Sequence, residues 1–313
     1  MLTTGKKRYR LLLLTALLWV AGALSSCLKE DLSDCPTDEF MLRVGFENVT
    51  AAHGPQVGRV DVFIFDSDDI LRQTLSESGM SFTAGYRMET WLPAGRYRFV
   101  SWSNIGTDYK TVPGTFVPGV TTLDEVSLSF DFSGGTVVDY DPALLLHGAT
   151  TAEVDLSLSD GEVAIPVRQD NYRINLTVEG VADDHNYSVT ISDDNGAYYF
   201  DNDFAPSGAL QYTRGPLAAP AGKFTTSLTT LRLERGRSPI LSIIDEDTQT
   251  PLFSVDPDLV ELILKRETNG GPAVDFSTEY EFDIHMEYDK ATMTATIRIN
   301  GWTVITGDDE ILG

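Results

Sequence analysis

Basic side chains are scarce in this 313-residue chain: 23 Lys and Arg stand against 47 Asp and Glu, a formal net charge of −24. The first 26 residues hold four of the basic groups and no acidic one, so the remainder carries about −28. Such a body repels phosphate backbones and anionic headgroups, which excludes nucleic acid and the bare membrane surface as ligands. Cysteine is nearly absent, with Cys27 and Cys35 alone. No disulfide framework is available, and the fold must rely on packing. The four histidines, His53, His147, His185 and His285, are scattered without the spacing that sets two metal ligands on one helix face. There is no G-x-S-x-G elbow and no glycine loop for a phosphate. Acidic clusters such as Asp66 to Asp69, Asp193-Asp194 and Asp245-Glu246-Asp247 lack the alternating carboxylates around a glycine that a calcium loop uses. They read as turns on an acidic surface. Carboxylate pairs for glycoside hydrolysis meet only in a fold, and nothing in the chain nominates one. The expectation is a non-enzyme without metal or other cofactor.

Long apolar runs are limited to one. Lys6-Lys7-Arg8-Tyr9-Arg10 precedes the apolar stretch from Leu11 to Leu24, which falls short of the roughly 20 residues of a spanning helix. Leu24-Ser25-Ser26-Cys27 closes it, with small side chains where a peptidase must approach the backbone. This stretch resembles the bacterial lipobox. It implies a signal peptide over 1–26 and a mature Cys27 bearing a thioether-linked diacylglycerol and an N-acyl chain. At about 0.8 kcal/mol per buried methylene, several such chains hold a protein on a bilayer. Lys29-Glu30-Asp31 resembles the export signal that sends Bacteroidetes lipoproteins to the outer membrane, facing outward. Cys35 is then a buried small residue or a free thiol.

What is abundant is alternation. Phe40 to Phe46, Val60 to Asp66, Leu71 to Leu75, Tyr86 to Leu92, Arg96 to Asn104 and Val126 to Phe132 read as short strands. Leu144 to Gly148 reads as a compact apolar knot, and Glu153 to Leu158 with Glu162 to Arg168 as a hairpin about Ser159-Asp160-Gly161. Arg173 to Glu179 has the cleanest period of two, with Ile174, Leu176 and Val178 facing a core. Tyr187 to Ile191 and Ala197 to Phe200 read as a second hairpin, and Phe224 to Leu233, Pro239 to Ile244, Tyr280 to Tyr288 and Met293 to Trp302 as further strands. One helix is expected over Leu259 to Lys265, with Asp256 as N-cap and Pro257 in its first turn. The pattern predicts an all-β fold of two tandem antiparallel β-sandwiches, over 39–168 and 169–313, behind a tether of 27–38. Trp91, Trp102, Tyr198, Tyr199 and Trp302 offer a sugar platform, although their places in or beside alternating strands suit packing.

With these pieces in place, the chain resembles the FimB/Mfa-type fimbrial anchor lipoproteins of Bacteroidetes. The resemblance rests on Cys27 to Pro36 (C-L-K-E-D-L-S-D-C-P), Val60 to Phe65 and Leu144-Leu145-Leu146-His147-Gly148. Val163 to Val178 around Arg168, and the Tyr280 to Tyr288 strand with Trp302 behind it, extend the likeness over nearly all of the chain after the leader. Leu145 departs from it where an aromatic is expected. The resemblance implies transthyretin-like sandwiches, outer-membrane attachment through Cys27, a pilin stalk subunit as partner, and no enzymatic activity. Pilins of this type resemble proteins joined by strand exchange, in which main-chain hydrogen bonds give the link and pockets for alternate side chains give the register. Stalk subunits lose an N-terminal strand by cleavage after a basic residue. Between Cys27 and Leu42 this chain offers only Lys29, so its first strand is expected to stay. Contact with the stalk then falls to the far end, with Met293, Ile297, Ile299, Trp302 and Ile305 as candidates. The role implied is to anchor a fimbria, limit its length and so aid cell adhesion. The alternative is a surface glycan-binding lipoprotein of a polysaccharide-uptake system. Glycan binding requires exposed aromatics in a groove, whereas anchoring requires an open or exchangeable sheet edge.

Overall fold

The computed structural model describes residues 39–155, 161–253, 255–289, 291–292 and 294–305. Cys27, Lys29, Glu30, Asp31, Cys35 and Met293 lie outside the described residues. The first ten strands are β1 (Glu39–Glu47), β2 (Arg59–Phe65), β3 (Leu71–Ser78), β4 (Arg87–Pro93), β5 (Gly95–Ser103), β6 (Tyr109–Val112), β7 (Ser127–Phe130), β8 (Val137–Val138), β9 (Leu146–Val154) and β10 (Glu162–Gln169). Seven of them form one sheet in the order β3-β2-β5-β9-β10-β1-β4. All seven send apolar side chains into one core, among them Val44, Val62, Leu75, Met88, Phe99, Leu146 and Ile165, so the sheet folds over on itself. Its edge strands approach each other through side chains: the Thr90 hydroxyl of β4 donates to Gln73 Oε1 of β3 at 2.6 Å. Strand β2 buries both faces. Val60, Val62 and Ile64 enter this core, while Phe63 and Phe65 enter a second one.

The other ten strands are β11 (Asn171–Glu179), β12 (Asn186–Asp193), β13 (Ala197–Tyr199), β14 (Leu210–Ala218), β15 (Lys223–Leu231), β16 (Ile240–Asp245), β17 (Thr250–Pro251), β18 (Glu281–Asp289), β19 (Thr294–Ile299) and β20 (Trp302–Ile305). They build two five-stranded sheets, β15-β11-β18-β19-β20 and β17-β16-β12-β14-β8, whose inner faces meet in the second core. Ile174, Leu176 and Val178 face inward there, as their period demands. A small sheet, β13-β7-β6, supplies Tyr198, Leu128 and Tyr109 to the same core. Most ladders are antiparallel. Among the described residues β1 with β10, β11 with β18 and β14 with β8 are parallel, because these partners are joined through long crossovers and no tight turn sets their direction.

Three local expectations change. The Leu144 to Gly148 knot is extended: Leu146, His147 and Gly148 open β9, where His147 pairs with Trp102 of β5 and Arg168 of β10. Strand β13 does not fold back on β12 but pairs with β7, and β12 lies between β14 and β16. The helix α1 runs Leu259–Thr268, and its cap is Asp258 rather than Asp256. The Asp258 carboxylate accepts the Glu261 N–H at 3.0 Å, supplying one of the orphan donors of the first turn. Leu259, Val260, Leu262 and Ile263 bury its apolar stripe. No helix among the described residues is long and apolar enough to cross a membrane.

Candidate functional site

The role expected from the sequence turns attention to two features, the seat of the first described strand and the sheet edges left open. The described chain begins with β1, an inner strand flanked by β10 and β4. Its register with β10 runs from Arg43 opposite Glu162 to Glu47 opposite Pro166. Leu42, Val44 and Phe46 are 0 %, 0 % and 4 % exposed. A side chain from β4 also clamps it. Arg87 crosses over Gly45, whose added Cβ would lie 2.6 Å from Arg87 Nε, and donates to Glu162 on β10 at 2.6 Å. Only a residue without a side chain leaves room for that crossing.

At the far end, β20 is the outer strand of its sheet. Ile297, Ile299 and Ile305 point into the core and are at most 1 % exposed; alternation along β19 turns the first two inward, and Ile305 is buried beside Val304 at the end of β20. Of the described candidates for subunit contact, Trp302 alone is on the surface, 44 % exposed. It rests on the turn after α1, where Trp302 Cδ2 would lie 3.1 Å from a Cβ on Gly271. Asn269, at the C-cap of α1, donates its amide to the Val304 carbonyl at 3.3 Å. One side-chain amide thus occupies a backbone acceptor on β20. Chain distance hides this cap from sequence reasoning, since Asn269 and Val304 are 35 residues apart.

Between the two cores lies a buried polar junction. The Asp170 carboxylate is fully buried and accepts from Arg168 Nε and Nη2 at 3.2 and 3.1 Å. Burial pushes its pKa above the usual carboxylate value, against the pull of Arg168 and Arg232. The Arg232 guanidinium lies over the rings of Phe204 and Tyr198, at 4.1 and 5.3 Å, and donates to the Asn202 carbonyl at 2.6 Å. His147 Nε2 donates to the Phe200 carbonyl at 3.1 Å, and its ring lies 4.5 Å from Trp102. Desolvation lowers the His147 pKa to about 3, so the ring is neutral here. The Phe200 ring meets Phe63 at 4.9 Å. Trp102, Tyr198 and Phe200 are each 1 % exposed in this junction.

The aromatic residues considered as a sugar platform do not form one exposed surface. Trp102 and Tyr198 meet at 6.0 Å but are buried in the junction, whereas Trp91 of β4 is 59 % exposed and belongs to a different sheet from Trp302. Tyr199 lines a cleft of about 660 Å³ with Asp68, Asp69, Thr122, Asp124 and Asp201.

Comparison with known proteins places these features in context. The family model described as fimbrillin-A associated anchor proteins Mfa1 and Mfa2 matches residues 32–308. The minor fimbrium anchoring subunit Mfa2 of Porphyromonas gingivalis is 26 % identical over 322 residues, 95 % of this chain and 95 % of that one. The solved structure of the Porphyromonas gingivalis fimbrial anchor protein Mfa2 superimposes with a TM-score of 0.68 at 24 % identity, over 86 % of this chain and 99 % of that chain. A DUF1812 protein of Bacteroides thetaiotaomicron, described as a candidate for polysaccharide binding, gives a TM-score of 0.71 at 21 % identity, over 88 % and 100 %. At such identities the structural likeness is one of fold.

Proposed function

Because the chain belongs to the family of fimbrillin-A associated anchor proteins, we propose that it is an outer-membrane lipoprotein that holds the base of a fimbria and limits its length. Acylated Cys27 is the membrane attachment, and Lys29-Glu30-Asp31 directs the protein to the outer face. Residues 27–38 form a short tether to two sandwich domains, 39–168 and 169–313, with β6, β7 and β8 of the first half packed on the second core. The protein serves as a structural part, and its partner is a pilin of the stalk.

The observation that carries this reading is the position of β1. A strand held between β10 and β4, with three core side chains and the Arg87 clamp, ties the lipid-bearing end to the whole first sheet. Cleaving it away would detach the anchor from its load. The outward end is the β20 edge with Trp302 and the tail to Gly313. An incoming strand there displaces one Asn269 hydrogen bond and gains a ladder of main-chain bonds in return.

Two variants test the reading. Cys27→Ser is expected to release the protein and its fimbriae into the medium. Deletion of Gly301 to Gly313 is expected to leave the protein on the cell with fimbriae shed or abnormally long. Fimbriae that remain attached and of normal length in the deletion strain would refute the assignment of the contact to this end.

A further inference from the structure

The meeting of β12 and β16 brings together three side chains that anchoring does not use. Strand register sets Tyr187 opposite Asp245, and the Glu246 N–H donates to the Asn186 carbonyl at 2.8 Å. His185 is thereby delivered to the Asp245-Glu246-Asp247 turn, sixty residues away in sequence. The His185 nitrogen and one oxygen each from Asp245 and Asp247 lie within 4.8 Å of one another. From this geometry we propose that His185, Asp245 and Asp247 form a binding site for a divalent transition-metal ion of the zinc or manganese type.

The three ligands are held in place by their neighbours. Asp245 Oδ1 accepts the N–H groups of Asp247 and Thr248 at 3.0 and 3.2 Å, which leaves Oδ2 facing His185 Nδ1 at 2.8 Å. Asp247 Oδ2 accepts from the Asn186 N–H at 2.6 Å and from its side-chain amide at 3.3 Å. Hydrogen bonds that orient ligands in this way are a regular part of metal sites. Tetrahedral ligands at zinc distances lie about 3.3 Å apart, so the imidazole and Asp245 need to separate by only about half an ångström to admit the ion. One nitrogen with two carboxylate oxygens suits zinc or manganese. Calcium and magnesium prefer oxygen alone, and softer ions prefer sulfur.

A second histidine in the same chain shows what a saturated version looks like. His285 lies 3.6 Å from Glu179 and 3.7 Å from Glu287. There Glu179 already binds Lys223 at 2.7 Å, and Glu287 already binds Arg298. At the His185 site, no lysine or arginine pairs with Asp245 or Asp247 among the described residues. Two carboxylates of one turn face each other in a protein of large negative charge, and a cation is what balances them. The His185 side chain is 34 % exposed, so the remaining coordination positions are open to water.

The test uses tag-free protein stripped with a chelator and titrated with Zn²⁺, Mn²⁺ and Ca²⁺ by calorimetry and equilibrium dialysis. One Zn²⁺ or Mn²⁺ per chain is expected, bound at least tenfold more tightly than Ca²⁺. His185→Gln and Asp247→Asn should each weaken it at least tenfold, while His285→Gln should leave it unchanged. The same ion should raise the unfolding temperature of the parent protein and of His285→Gln, but not of His185→Gln. Uptake that is weak, multi-site and shared by all variants would assign the ion to the general acidic surface and overturn the proposal. Tight binding that survives both site substitutions would overturn it equally.

Discussion

Cutting the chain after β1 separates its covalent connection from its structural one. Ala51 and Ala52 are exposed in the loop between β1 and β2, so a protease recognition sequence inserted between them leaves both strands intact. After cleavage β1 is held only by contacts. Leu42, Val44 and Phe46 are essentially fully buried, and at roughly 2 kcal/mol each they contribute about 6 kcal/mol. Main-chain bonds to the strands on either side add about 0.5–1.5 kcal/mol net apiece. The burial alone corresponds to a dissociation constant of about 10⁻⁴ to 10⁻⁵ M, and it is the main-chain bonds that carry it into the range where the pieces stay together through a wash. Protein immobilised by a tag placed ahead of Glu39 is therefore expected to stay on the resin after complete cleavage, and to leave when denaturant unfolds the first sheet. The readout is the C-terminal fragment in the wash, followed by antibody. Its appearance within minutes in native buffer, with cleavage verified on a denaturing gel, would show that β1 is not the fastening argued here.

Ile297→Ala should cost about 2–5 kcal/mol in urea unfolding, as expected for a fully buried aliphatic side chain. Trp302→Ala should cost less than about 1 kcal/mol yet weaken pilin capture in a pull-down. Gly180→Ala should destabilise severely, by more than about 2 kcal/mol, and lower the urea midpoint. Its Cβ would sit 1.9 Å from the Tyr288 carbonyl oxygen, at a residue with φ of +82°. His147, with its pKa lowered to about 3 by burial, refuses the proton that the unfolded chain accepts below about 6.5. Stability from this group is complete above that pH and is lost as pH falls from there toward 3, reaching about 2 kcal/mol by pH 5. A His147→Gln variant should show a flatter acid limb in unfolding measured from pH 7 to 4.5.

The all-β architecture was legible because alternation is a local signal. In β11 three aliphatic residues at every second position mark the buried face without ambiguity. In β2 both faces are apolar, and the sequence shows two sets of side chains without showing that two different cores receive them. Pairing was less legible. Ala197 to Tyr199 follows a turn after β12, but its partner is β7, nearly 70 residues earlier, because the apolar face formed by Tyr198 is needed at the junction. Strand β14 went unread because Arg214, Gly215 and Pro216 break its alternation after Tyr212. The two aspartates around Pro257 both suit a cap, and only the hydrogen bond to Glu261 decides for Asp258. The same holds for function. Period two in β19 identifies Ile297 and Ile299 as a set, but a set facing a core looks the same in sequence as one facing a partner. His185 with Asp245, and Asn269 with Val304, are contacts between residues far apart in the chain that no spacing rule can see.

The parallel pairing of β1 with β10 decides how the body bears a pull. Tension arriving at Glu39 travels along β1, and the chain leaves β10 at Gln169 for the second half of the protein, at the opposite end of the ladder. Two parallel strands drawn from opposite ends are loaded in shear, so the bonds between them share the force instead of parting one by one like a zipper. Under the proposed attachment through Cys27, a fimbria dragged by flow would load β1 and β10 along their length.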